Sequence, residues 1–121
     1  MKTSELTGPA LDWAVAKAQG QEGVCRMILQ RPMSYIDRPS TNWEHGGPII
    51  EREFIRITEP RFPSTGPWVA RKRQDGLPLG VDGCFLAEGP TPLIATMRCY
   101  VASKLGDTVD IPAELTEEVK A

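Results

Sequence analysis

The residues best suited to chemistry lie in one short segment near the middle of the chain. The single histidine, His45, has Glu44 beside it and Glu51 six residues later. Imidazole titrates near neutral pH and a carboxylate can orient it, so His45 with either glutamate could serve as an acid–base pair. A pocket completed by Arg98 would make this a small hydrolytic or ligand-binding enzyme.

The same segment has a simpler interpretation. Gly46 and Gly47 allow the backbone angles of a turn, and Trp43 can anchor that turn to the core. The sequence also lacks a phosphate-binding glycine loop, a dinucleotide-binding fingerprint and a nucleophile elbow. We therefore favour a structural or recognition role for this segment and assign no catalytic residue.

The sequence gives weaker evidence for the binding of a metal or of a nucleic acid. Three cysteines and one histidine match the count of a zinc site, but no two of them have the close spacing of known sites. We expect reduced, buried thiols at Cys25, Cys84 and Cys99, with no metal and no cofactor.

A basic run, Arg71–Arg73, follows Trp68, and an aromatic ring beside cations can stack a base and hold a phosphate. The chain as a whole has 14 Lys and Arg against 16 Asp and Glu, a net charge of -2, without the basic excess typical of nucleic-acid binders. A solvated hairpin loop is the favoured interpretation of the run. Nucleic-acid binding is the less favoured alternative.

The elements that must position these residues follow from the helix breakers. Most of the glycines and prolines lie between Pro32 and Pro92, which predicts short strands and turns there and helices at the two ends. One helix is predicted from Pro9 to Gln19, after a cap at Thr7 and before a stop at Gly20. A longer helix is predicted from Thr91-Pro92 to Gly106. Small residues recur every four positions on both helices, which predicts a close helix pair through these ridges: Ala10, Ala14 and Ala18; Ala95, Cys99 and Ser103.

The middle of the chain predicts a small antiparallel sheet. The continuous apolar run Val24 to Gln30 indicates a buried strand, and further strands are predicted at Phe54–Thr58, Pro67–Arg71 and Cys84–Ala87. Pro48–Arg52 fits a short helical turn or an extension of the following strand, and we favour the turn. The predicted class is α+β, with three to four short strands packed by an N-terminal helix and a longer C-terminal helix. Residues 1–121 are expected to form one domain, with 112–121 as a weakly ordered tail.

Three blocks of the sequence occur together in one known family. They are Met1–Leu6 with Ala10–Ala16, Pro39–Trp43 with Gly46–Arg52, and Pro90–Ala95 with Met97-Arg98. In these blocks, over nearly its whole length, the chain resembles the NinX-like proteins of temperate phages and prophages. The resemblance implies a small accessory protein made from a phage gene in the bacterial cytoplasm. That location agrees with the lack of a long apolar run or of a signal-like amino terminus. The resemblance carries over no catalytic residue.

These observations favour a non-enzymatic protein-interaction module. The segment from Trp43 to Arg52 is expected to be an ordered recognition loop on the surface, because its apolar residues are worth burying. The expected partner is a host or phage protein, or a second copy of the chain, with no membrane involved. The candidate recognition surface consists of five residues: Trp43, His45, Glu51, Trp68 and Arg98.

Overall fold

The computed structural model of the chain describes residues 2–30, 38–60, 66–73 and 84–112. It is an α+β fold, as predicted, with helices on one side of a three-stranded antiparallel sheet. After a short 3-10 turn at Thr3–Glu5, the elements follow in this order: α1 (Gly8–Ala18), α2 (Glu22–Gln30), α3 (Trp43–Glu53), β1 (Arg56–Thr58), β2 (Trp68–Arg73), β3 (Cys84–Gly89) and α4 (Pro92–Leu105).

The sheet has the strand order β1-β2-β3, so β2 lies in the centre. Ala70 of β2 lies opposite Ile57 of β1 and Ala87 of β3 on the face toward the helices. Because side chains alternate along a strand, the next row, Arg56, Arg71 and Leu86, lies on the other face. The three predicted strands are confirmed, with bounds shifted by one or two residues.

Helix α4 packs against β2, β3 and α1. The Thr91 hydroxyl accepts a hydrogen bond from the Ile94 N–H at 3.1 Å, Pro92 begins the helix, and Gly106 follows its last residue with a φ of 91°. The prediction from Thr91-Pro92 to Gly106 is therefore confirmed. The helix is buried along most of its length, including the uncharged side with Ala95 and Cys99.

Helix α1 begins one residue earlier than predicted and ends one residue earlier. Thr7 occupies the capping position, although its side chain makes no capping hydrogen bond, and Gly20 follows with a left-handed φ of 73°. Ala10 and Ala14 are fully buried, as are Ala95 and Cys99 on α4, and the two helices pack against each other. Contact between the two ridges stays a prediction.

The predicted strand at Val24 to Gln30 is wrong, because these residues belong to α2. Cys25 and Ile28, three positions apart, are buried, whereas Met27 is 41% exposed. Burial therefore repeats at the spacing of a helix. A short, continuously apolar run is compatible with either a buried strand or a helix, and period alone does not separate them.

The expected recognition loop is also wrong in form: Trp43 to Arg52 lies in α3, which confirms only the helical turn predicted at Pro48–Arg52. The Asn42 side chain accepts a hydrogen bond from the Glu44 N–H at 2.9 Å and so caps the helix. Gly46 and Gly47 are helical and form no turn. A Cβ at Gly46 would lie 2.5 Å from the Pro39 carbonyl oxygen, so this glycine lets the preceding segment lie close against α3.

Residues 113–121 of the predicted tail lie outside the described residues. Within the described ranges, no helix combines the length and the apolar character that a membrane crossing requires.

Candidate functional site

Helix α3 exposes an aromatic side chain at each end. Trp43 is 53% exposed at its first residue and Phe54 is 88% exposed directly after its last. At about 100° per residue, positions 43 and 47 lie on one side of the helix, and the 11 residue steps from Trp43 to Phe54 span about 16 Å. We call Trp43, Gly47 and Phe54, with the exposed Glu44 and Glu51 beside them, the α3 face.

Phe54 has an unusual backbone. Its φ of 54° and ψ of 46° are left-handed, and no other non-glycine residue in the described part of the chain has a positive φ. This conformation costs an L-residue about 1–2 kcal/mol. It is fixed by the end of the helix, where the Ile55 N–H donates to the Ile50 carbonyl at 3.1 Å and Ile55 is buried. Glycine usually occupies this position, because it adopts the left-handed backbone without strain. The Phe54 side chain is almost fully exposed, so packing within the fold does not explain a phenylalanine here.

The space between the two aromatics is open. A Cβ built on Gly47 would meet no atom within 4 Å. On the helix projection, Glu44 and Glu51 border this strip on the side away from the core, while Ile49 is buried on the core side. The α3 face is therefore a shallow apolar strip with an aromatic ring at each end and one acidic border.

His45 lies on a different side of α3. Its Nδ1 accepts a hydrogen bond from the Arg38 backbone N–H at 2.9 Å. The same segment is held by the buried Asp12, whose carboxylate accepts from the Ser40 N–H at 2.9 Å. His45 thus ties the segment before α3 to the helix. Within the described ranges it forms no ion pair with Glu44 or Glu51, so the acid–base pair considered from the sequence is not formed.

Arg98 lies in a separate region. Its Nε donates to the Leu6 carbonyl at 2.8 Å and its Nη1 to the Glu88 carbonyl at 2.7 Å, so it links the N-terminal segment, β3 and α4. Burial lowers the pKa of its guanidinium. Arg98 also lines an open cleft of about 840 Å³ between Lys2–Ser4 and the end of β3, to which the described residues of α3 do not contribute.

The basic run of Arg71–Arg73 lies in the central strand, so the expected solvated hairpin loop is wrong. Trp68, Ala70 and Lys72 share the face toward the helices, where Trp68 packs against the core and only 3% of the Lys72 side chain is exposed. Arg71 is exposed on the opposite face. Trp68 and Arg71 therefore cannot stack and neutralise the same nucleotide from one face of the sheet.

Sequence reasoning missed a polar cluster around Glu53. The Glu53 carboxylate lies 3.0 Å from Arg52 Nε and 3.7 Å from the Nζ atoms of both Lys72 and Lys104. Arg52 also lies 6.0 Å from the centre of the Tyr100 ring, and burial raises the pKa of the Tyr100 hydroxyl. Arg52 and Lys104 are in the last turns of α3 and α4, where a cation is favourable. No local sequence signal joins these residues, because they come from three elements.

Cys25 and Cys99 lie in the core, whereas the predicted burial of Cys84 falls on a side chain outside those that the structure describes. Cys25 Sγ is 3.8 Å from the Trp13 carbonyl oxygen and Cys99 Sγ is 3.3 Å from that of Phe85. Both side chains are buried. Burial, with a smaller effect of Glu22, raises the pKa of Cys25. Neither thiol is presented to a ligand.

Comparison with known proteins adds one finding. The family model described as "Bacteriophage P22, NinX" matches residues 2–104, from the N-terminal segment to the last turn of α4. No curated protein matches the chain.

Proposed function

The chain belongs to the NinX family of phage proteins, and from this premise we propose that it is an accessory protein that binds another protein and catalyses no reaction. The partner is a phage or host protein in the bacterial cytoplasm. The observation that carries the proposal is the pair of exposed aromatic side chains, Trp43 and Phe54, at the two ends of α3.

Two physical arguments support this role for the α3 face. Aromatic side chains lose little conformational entropy on binding and bury large areas, so tryptophan and other aromatics are enriched at interface centres. Phe54 in addition occupies a strained backbone position while gaining little burial in the fold. Strain that packing does not explain is concentrated at functional sites.

The shape and charge of the face define the partner. Two aromatic residues about 16 Å apart along the helix axis, with open space over Gly47, suit a protein that inserts an apolar ridge between them or receives each ring in a pocket. Glu44 and Glu51 add an acidic border, which favours a partner with Lys or Arg at the rim of its apolar surface. The other three candidate residues have separate places: His45 accepts a hydrogen bond from Arg38, Trp68 packs against the core and Arg98 links three segments.

The experiment is affinity capture of the tagged protein from infected or lysogenic cells, followed by mass spectrometry. Wild type and Trp43→Ala are compared with Met27→Ala, which removes a 41% exposed apolar side chain from α2 and serves as the matched control. We expect a protein that is captured by wild type and Met27→Ala and lost with Trp43→Ala. Equal capture by all three would contradict a role for the α3 face.

A measurement of solution mass separates a foreign partner from a second copy. If Trp43 mediates self-association, wild type has twice the mass of one chain and Trp43→Ala has the mass of one. A monomeric wild type that captures another protein through Trp43 supports the proposal as stated. His45 is left unchanged in these variants, because its bond to Arg38 belongs to the fold.

A further inference from the structure

The face of the sheet opposite the helices has an unusual charge arrangement. Arg56 of β1 and Arg71 of β2 lie directly opposite each other and are both exposed. Within the described ranges neither side chain forms an ion pair or a hydrogen bond. Like charges directly opposite on neighbouring strands are destabilising. The chain has a net charge of -2, so this pair is a local concentration of positive charge that the composition does not require.

Apolar surface lies beside the two arginines. Leu86 of β3 is opposite Arg71 and 57% exposed. The second row of this face contains Thr58, Val69 and Glu88, so it holds one carboxylate, which lies diagonal to Arg71. The sheet thus presents two cations in its first row with the apolar Leu86 beside them.

We propose that this face of the sheet binds a single-stranded nucleic acid. The Cβ atoms of directly opposite residues on adjacent strands lie about 5 Å apart. The two guanidinium groups can therefore hold one phosphate or two successive phosphates. The exposed Leu86 side chain offers an apolar contact to an unstacked base. Three strands spaced about 4.8 Å apart form a surface the width of one strand rather than of a duplex. This site is independent of the proposed protein partner and of Trp43.

The proposed site differs from the one considered from the sequence, in which Trp68 and the basic run Arg71–Arg73 would bind a nucleic acid together. Alternation along β2 directs Trp68 and Lys72 toward the helices and Arg71 to the opposite face. The arginine that matches Arg71 is therefore its neighbour across the sheet, Arg56, which lies 15 residues away in the sequence. Only the register of β1 with β2 brings these two arginines next to each other.

The test is fluorescence anisotropy of labelled oligothymidine and oligouridine, each of 20 nucleotides, with the full chain at 50 and 200 mM NaCl. The variant Arg56→Gln/Arg71→Gln is compared with Arg26→Gln, which removes an exposed arginine from α2. We expect the double variant to bind at least 10-fold more weakly than wild type and Arg26→Gln to stay within 2-fold. The slope of log affinity against log salt should fall by about 1.4 in the double variant, because it neutralises two fewer phosphates of a single strand.

The remaining outcomes decide the claim. Loss of the like-charge pair should leave the melting temperature of the double variant equal to or above that of wild type, so weaker binding cannot be attributed to unfolding. Polyglutamate at equal charge should fail to displace the oligonucleotide. Absence of wild-type binding, equal weakening by Arg26→Gln, or displacement by polyglutamate would overturn the proposal, the last in favour of an acidic protein. Preference between the two oligonucleotides assigns the ligand to DNA or RNA.

Discussion

Helices α3 and α4 are built alike at their ends and differ in what lies between. Each begins with a side-chain cap, at Asn42 and at Thr91, and each is followed by a residue with positive φ. In α4 that residue is Gly106, whereas in α3 it is Phe54. Helix α4 buries nearly every residue from Leu93 to Val101, whereas α3 buries only Gly46 and Ile49. Packing accounts for the residues of α4, and it leaves the aromatics of α3 unexplained.

The largest expected effect of a substitution is at Arg98, in the packed region. Arg98→Ala should lower the free energy of unfolding by about 3 kcal/mol, because the Leu6 and Glu88 carbonyls both lose a charged donor. Urea denaturation measures the loss. Arg52→Ala is the control, since its half-exposed ion pair should contribute less than about 1 kcal/mol. A cost for Arg98→Ala no greater than for Arg52→Ala would show that the link between segments is dispensable.

The next effect concerns the pairing of α1 with α4. Ala14→Leu or Ala95→Leu should each destabilise the fold by about 1 to 3 kcal/mol through overpacking, since both alanines are fully buried. Thermal unfolding measures this, with Ala18→Leu as a milder comparison because Ala18 is only partly buried. The close helix pair would be refuted by a wild-type melting temperature in either variant.

A smaller effect should appear in alkali. Burial raises the pKa of Cys25 in the folded chain, so its thiol stays protonated at a pH where the unfolded chain has lost that proton. The resulting stabilisation is complete below the ordinary thiol pKa of about 8.5 and is lost as pH rises through the folded value. Cys25→Ala should therefore show a weaker decline of stability between pH 8 and 9.5. An identical slope in both proteins would remove Cys25 from the explanation.

Local signals predicted the parts of the fold that local chemistry controls. A hydroxyl, a proline and a terminating glycine mark α4, and the glycine after α1 adopts a left-handed backbone. Alternating residues located the strands to within two positions. Helix α2 was not predicted, because its short run of apolar and polar residues fits the period of a strand and that of a helix equally well. Only its packing against α1 selects the helix.

The candidate site was predictable only in part. Trp43 and Glu51 lie on the surface, as we predicted from the composition of their segment. The left-handed Phe54 carries no signal in the sequence, because glycine or asparagine usually occupies that position. The Glu53 cluster and the opposed arginines depend on strand register and on packing between distant segments.

The central claim is that the fold does not need the aromatics of the α3 face, and the free energy of unfolding of Trp43→Ala/Phe54→Gly tests it most directly. The account predicts a value within about 1 kcal/mol of wild type, because glycine relieves the left-handed strain and offsets the weaker packing that follows from truncating the half-exposed Trp43. A loss of about 3 kcal/mol or more, typical of buried aromatics, would contradict it and assign both rings to the core.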